Sequence, residues 1–189
     1  CIPLIDGIKS GFALTRWQSV DYQTITVREK IEKFGESYKD HFLIDFLFTK
    51  GDIGYPTHFV SRHSIRDLGQ LFWFQLPFIL IGLLALIPRR NFGWIMLVYL
   101  LFLYPLGSSV SFEGPFATRS IIGIVPFSFI TSLGVEFLFW KIKSMNLKRS
   151  VAAVLVFVTS LSLFLYLFRY YNEYPLYSSD YWGWQYGPR

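Results

Sequence analysis

Residues 150–168 read SVAAVLVFVTSLSLFLYLF, a run without a single charged side chain. A helix needs about 20 mostly apolar residues to cross the ~30 Å hydrocarbon layer of a bilayer. Inside that layer no water is present to satisfy backbone amides and carbonyls. A helix, which satisfies them internally, is the natural form for such a run. This stretch sets the fold class, and three others repeat its character. Residues 69–88 and 91–112 carry no charge, and residues 120–140 carry only Glu136. The expected spans are 70–88, 92–107, 120–140 and 150–169. The chain therefore reads as an all-α membrane protein, a bundle of about four transmembrane helices. An extracytoplasmic loop region contains an amphipathic helix. Pro77, Pro105 and Pro126 fall within or at the ends of the spans, which bundled helices tolerate because neighbours re-satisfy the freed carbonyls.

Composition agrees. Of 189 residues, 52% are hydrophobic and 20% aromatic, and only 16% are charged, against about 25% in an ordinary soluble domain. The net charge is +5, but its placement excludes a nucleic-acid face. Residues 1–70 hold acids and bases in equal number, and most of the excess lies in Arg89-Arg90 and in Lys141–Arg149. Short basic loops between spans mark the cytoplasmic side. Residues 1–69, 108–119 and 170–189 are then extracytoplasmic in a multi-pass protein of the cell (plasma) membrane. Trp73, Trp94, Tyr99, Tyr104, Trp140, Tyr166 and Tyr170 gather toward span ends, as interfacial aromatics do. No nucleic-acid partner is expected; membrane lipid is.

Outside the spans, three organising features stand out. Between Thr24 and Phe42, apolar Val27, Ile31, Phe34, Tyr38 and Phe42 recur at three- and four-residue spacing. That is an amphipathic helix over about 24–42. It either lies on the membrane surface or packs on the bundle. Packing on protein is favoured because its polar face mixes signs, whereas lipid-binding helices are usually basic. Gly51, Gly54 and Pro56 then break regular structure before Arg62, His63, Arg66 and Asp67. Last, residues 170–189 form a tail that is both aromatic and polar, an interfacial anchor or a platform for a sugar ring. The chain opens on CIPLIDG without Met and closes on WQYGPR. It is expected to be the C-terminal part of a longer protein, with an N-terminal half as partner.

No nucleotide-binding loop, HExxH or CxxC pattern occurs. His41, His58 and His63 lack metal-ligand spacing on a helix, so no metal site is expected. Cys1 is the only cysteine. Glu136, in the inner part of the third span, has Lys141 and Lys143 one to two turns away as structural partners. Arg119 stands alone where the third span begins. It either snorkels to headgroup phosphates or pairs with the phosphate of a lipid-linked substrate, a contact its planar fork suits.

Beyond these readings, DFLFTKGD (45–52) followed by SRHSIRDLGQLFWFQLPFILIGLL (61–84) resembles a segment of bacterial GT-C membrane glycosyltransferases, the protein O-mannosyltransferase-like and aminoarabinose-transferase-like enzymes. ATRSIIGIVPFSFITSLGV (117–135) is similar to their Arg-containing loop leading into a span. YYNEYPLYSSDYWGWQYG (170–187) is similar to the aromatic segment that leads into their C-terminal outer domain. The resemblance covers most of residues 40–189. It implies hexosyl or pentosyl transfer from a polyprenyl-phosphate-linked sugar to an unidentified acceptor on the outer face. It also implies an acidic base on an N-terminal loop outside this chain, so no catalytic residue is assigned here. Arg119 carries over as the phosphate-binding candidate. Asp52, Arg62 and His63 are cavity-rim candidates, and Tyr181 and Trp182 are sugar-stacking candidates. A divalent cation as cofactor is left open, because no residue pattern identifies one. The alternatives are a transporter or flippase of lipid-linked glycans, which shares the outward cavity and basic rim, and a non-catalytic scaffold.

Overall fold

A computed structural model describes residues 26–52, 64–87, 92–110 and 114–176. Arg62, His63, Tyr181 and Trp182 lie outside the described residues. Among those described, every regular element is helical. The protein is an all-α membrane bundle.

Helix α1 spans Val27–Asp40. Thr26 starts it with a capping box. The Thr26 hydroxyl accepts from the Glu29 amide at 3.3 Å, and the Glu29 carboxylate accepts from the Thr26 amide at 2.8 Å. Two donors that no helical carbonyl can reach are satisfied at once. The chain then makes one wide π-helical turn, Asp45–Thr49, which buries Phe46, Leu47 and Phe48.

Helix α2 spans Gln75–Leu86. Twelve residues rise about 18 Å, short of the ~30 Å of hydrocarbon. This segment is shorter than the expected span 70–88, for a visible reason. The Leu71 amide donates to the Leu47 carbonyl at 2.8 Å, and the Gln70 amide to the Phe46 carbonyl at 3.4 Å. Residues 70 and 71 are thus held by the π-helical turn and do not join the helix. Gly69 permits that approach, since a Cβ there would run into the backbone of Leu47 and Phe48.

Helix α3, Phe92–Leu103, breaks at Pro105 and resumes as the short α4, Leu106–Ser109. Together they form an 18-residue apolar run, Phe92–Ser109. A 3-10 turn, Ile121–Gly123, leads into α5, Ile124–Lys141, and Ser144 caps α6, Met145–Asn172. Three helical segments, Phe92–Ser109, Ile121–Lys141 and Met145–Leu176, are long and apolar enough to cross a membrane. Pro77 and Pro126 each sit third in their helix, where the first-turn amides have no intrahelical acceptor and a missing N–H costs little.

The bundle is organised on α2 and α5. Gly82 lies against the carbonyl of Ile130, and Gly134 against the carbonyl of Phe78. A Cβ at either glycine would collide with that carbonyl. Each helix offers its glycine to the other's backbone four residues from its own contacted carbonyl. Lipid tails are as apolar as leucine, so burial alone does not drive such helices together. Close backbone approach through small residues does. The core continues from this seam through Ile79, Leu86, Phe127 and Ile130 to Leu97 and Tyr104 of the α3–α4 segment and to Phe46–Phe48. Helix α6 buries no residue.

Candidate functional site

Where the π-helical turn meets the start of α5, a half-open cavity of about 250 Å3 remains. Its floor is Phe46 and Leu47, and its walls are Tyr104, Ile124 and Phe127. Gln70, Leu71 and the turn residues Ala117, Thr118 and Ser120 complete its lining. The wall is apolar and aromatic, and the polar groups come from Gln70 and from the loop that leads into α5.

That loop is held on both sides. From the α4 side, the fully buried Ser108 accepts the Phe116 amide at 2.7 Å and donates to the Gly114 carbonyl at 3.2 Å. The Ser120 hydroxyl donates to the Phe116 carbonyl and closes the turn from within. From the other side comes Asp52. It is buried, and its carboxylate accepts from the Ser64 hydroxyl, from the Gln70 side-chain Nε2 at 3.4 Å and from the Ala117 backbone amide at 3.2 Å. Asp52 does not line this cavity. It clamps two residues that do, Gln70 and Ala117, across 65 positions of sequence.

Arg119 sits between two lining residues, Thr118 and Ser120. Its side chain is exposed, and its guanidinium carbon stands 4.5 Å from the centre of the Phe116 ring. Cation–π contact of this kind holds the guanidinium over the ring face. Of the residues singled out from the sequence, the structure brings Asp52 and Arg119 to one loop, the first holding it from beneath and the second projecting from it.

His41 emerges from the structure as a residue of the core. It is completely buried. Its Nδ1–H donates to the Ser37 carbonyl at 2.7 Å, and its ring meets Phe46 and Tyr104 edge-on at 5.2 and 5.8 Å between centroids. Its backbone carbonyl accepts the Tyr104 hydroxyl at 2.6 Å. Burial pulls the imidazole down to about 4, against the opposing pull of the Ser37 carbonyl, so the ring is neutral at physiological pH. Nε2 and the Ser37 hydroxyl are buried without a partner. His41 and Tyr104 thereby lock α1 to the wall of the cavity.

Sequence reasoning passed over Ser108 and Gln70, and it read Tyr104 as an interfacial aromatic where the structure buries it in the core. The double serine of LGSSVS, at the end of an apolar run, was the available signal: hydroxyls at that depth need partners. Among the described residues, no group of three His, Cys, Asp or Glu side chains is placed to hold a metal ion.

No family model, no curated protein and no solved structure matches this chain.

Proposed function

We propose that this chain is part of a polytopic membrane glycosyltransferase, and that the cavity receives the lipid-phosphate end of a polyprenyl-phosphate-linked sugar at the extracytoplasmic face. The observation that carries this reading is the pairing of an apolar cavity of about 250 Å3 with an arginine on its rim loop. Its volume exceeds the roughly 150 Å3 of a dry cavity known to admit benzene, so the first isoprenoid carbons fit. Its lining offers few groups for a sugar's hydroxyls, which favours the lipid as the occupant. A guanidinium beside it meets a phosphate with two parallel N–H···O bonds. In sugar transfer the phosphate is the leaving group. Charge builds on its oxygens as the glycosidic bond breaks, and a fixed cation there lowers the barrier. The base that activates the acceptor is expected outside this chain, from the resemblance noted above. These residues would then bind and steady the departing phosphate.

The test uses the full-length protein in proteoliposomes with a polyprenyl-phosphate sugar. Arg119→Ala should abolish transfer while leaving membrane insertion intact, and Arg119→Lys should restore a part, since a lysine keeps charge and loses the fork. Wild-type turnover by Arg119→Ala would remove the phosphate contact. Movement of the lipid-linked sugar across the bilayer without bond formation would replace the enzyme by a flippase.

A further inference from the structure

Helix α1 is amphipathic, but only half of its apolar stripe is used by the protein. Val27, Ile31, Phe34 and Tyr38 lie within about 60° of arc at 3.6 residues per turn. At the C-terminal end the stripe is anchored. The Tyr38 hydroxyl donates to the Phe102 carbonyl at 2.8 Å, and Phe42 packs its ring on that of Phe102 at 6.5 Å. At the N-terminal end the stripe is bare: Val27 is 74% and Ile31 67% exposed.

The anchor decides what covers the bare end. Phe102 belongs to α3, and Phe92, Ile95, Tyr99 and Phe102 are all exposed along one side of it. In a membrane-crossing helix such a stripe faces lipid. Phe102 is the last of these residues, in the second half of the Phe92–Ser109 run, and α1 is tied to it and packs on α4 at the end of that run. The apolar edge of α1 is therefore continuous with the lipid-facing side of α3, at the level where hydrocarbon gives way to headgroups. Its polar side carries Arg28, Lys30, Lys33 and Lys39 against Glu29, Glu32, Glu36 and Asp40. Four positive and four negative charges cancel, so no attraction to anionic lipid is built in.

We infer that α1 is an interfacial helix lying in the plane of the membrane surface, with Val27 and Ile31 inserted at the boundary between headgroups and acyl chains. Insertion is driven by apolar burial, and α1 does not discriminate headgroup charge.

The experiment uses the complete chain in phosphatidylcholine nanodiscs, with Cys1 replaced by Ser. A single environment-sensitive fluorophore is placed through Ile31→Cys, and in a second protein through Lys33→Cys on the polar side. The Ile31 probe should emit at shorter wavelength, be quenched by nitroxide-labelled lipid and resist iodide. The Lys33 probe should show the reverse. Adding phosphatidylglycerol should change neither. A probe at 31 that iodide quenches and lipid does not would place the stripe in water and overturn the inference. A probe shielded from both would place it against protein, with the same result. Val27→Phe, in a label-free protein, gives an independent reading. It should deepen insertion, seen as slower amide exchange across α1 in lipid, and an unchanged exchange rate would count against an inserted face.

Discussion

Helices α5 and α6 are both long and apolar enough to cross a membrane, and they meet the rest of the protein in opposite ways. Helix α5 is locked to α2 through Gly82 and Gly134, each pressed on a carbonyl of the other helix. Helix α6, with 28 residues, buries none. At its C-terminal end Tyr166 sets its ring edge-on to Phe72 at 6.4 Å and Arg169 donates to the Arg66 carbonyl at 3.5 Å. Beyond that point its tyrosines stack on each other, Tyr166 on Tyr170 and Tyr170 on Tyr174. The difference teaches that, in lipid, apolarity places a helix in the membrane but does not choose its neighbours. The choice lies in the small residues that let two backbones meet, where weak Cα–H···O=C contacts and dispersion act at short range.

The sharpest way to break the comparison is to fill the seam. Gly134→Leu puts four carbons where the Phe78 carbonyl already stands. Overpacking costs about 1–3 kcal/mol and occasionally more, and a side chain driven into backbone belongs at the upper end, here with separation of α2 from α5. Denaturation of the purified chain in mixed micelles should show the loss. Retention of wild-type stability would mean that the seam is not what holds the bundle.

Next comes the tie between α1 and the cavity wall. His41 is held near 4 when folded, against about 6.5 for a free imidazole. The folded value is the lower one, so the unfolded chain binds the extra proton between these limits. Stability should be complete above about pH 6.5 and fall as pH drops toward 4, by about 3 kcal/mol in all. Asp40, whose carboxyl burial pushes above its usual range, acts in the opposite sense near the bottom of that window. Comparing wild type with His41→Phe isolates the histidine: the variant should lose the slope between pH 6.5 and 4. An unchanged slope would place the titration elsewhere.

Asp52 tests the clamp beneath Arg119. Asp52→Ala leaves the Ala117 amide without the acceptor it has at 3.2 Å. A fully buried donor left unmet costs about 1–3 kcal/mol, and this part-buried one stands at the lower end. The effect should be local. Amide exchange should quicken across residues 114–120 and stay unchanged at the α2–α5 seam. Uniform protection across that loop would show that Ser108 and Ser120 hold it without Asp52.

The parts of the molecule that were legible in its sequence are those set by composition and period. Uncharged runs announced membrane helices, and the 27–31–34–38 spacing announced α1. The short α2 was not legible, because GQLFWF reads as apolar helix until one sees residues 70 and 71 donating to the π-helical turn. The seam was not legible either. Its glycines are visible in the sequence, but which carbonyl each one meets depends on register between distant segments. Of the candidate site, Arg119 stood out because an isolated charge beside a span is conspicuous. Asp52 stood out by resemblance, as a rim residue, while its observed contacts are those of a clamp. Its partners Gln70 and Ala117 lie 18 and 65 positions away, a distance that no local pattern spans. His41 was set aside with the other histidines for want of ligand spacing. Its burial follows from tertiary packing on Phe46 and Tyr104, which the sequence does not encode locally.

The smallest expected effect lies on the other side of the comparison. Val156 is in the middle of α6 and 67% exposed. In water, trimming a buried valine would remove transfer energy and leave a cavity. Here the side chain faces lipid, which fills the vacated space, and the helix remains apolar throughout. Val156→Ala should therefore change stability by less than about 0.5 kcal/mol, as an unburied substitution does. The same denaturation measurement that reads Gly134→Leu reads this one. Together they bracket the contrast, because the two residues sit in helices of similar character and differ in whether a backbone or open space stands at the side-chain position. A loss above about 1 kcal/mol at Val156 would show that α6 is covered by protein along its length. The distinction between a locked helix and a lipid-facing one would then fail at α6.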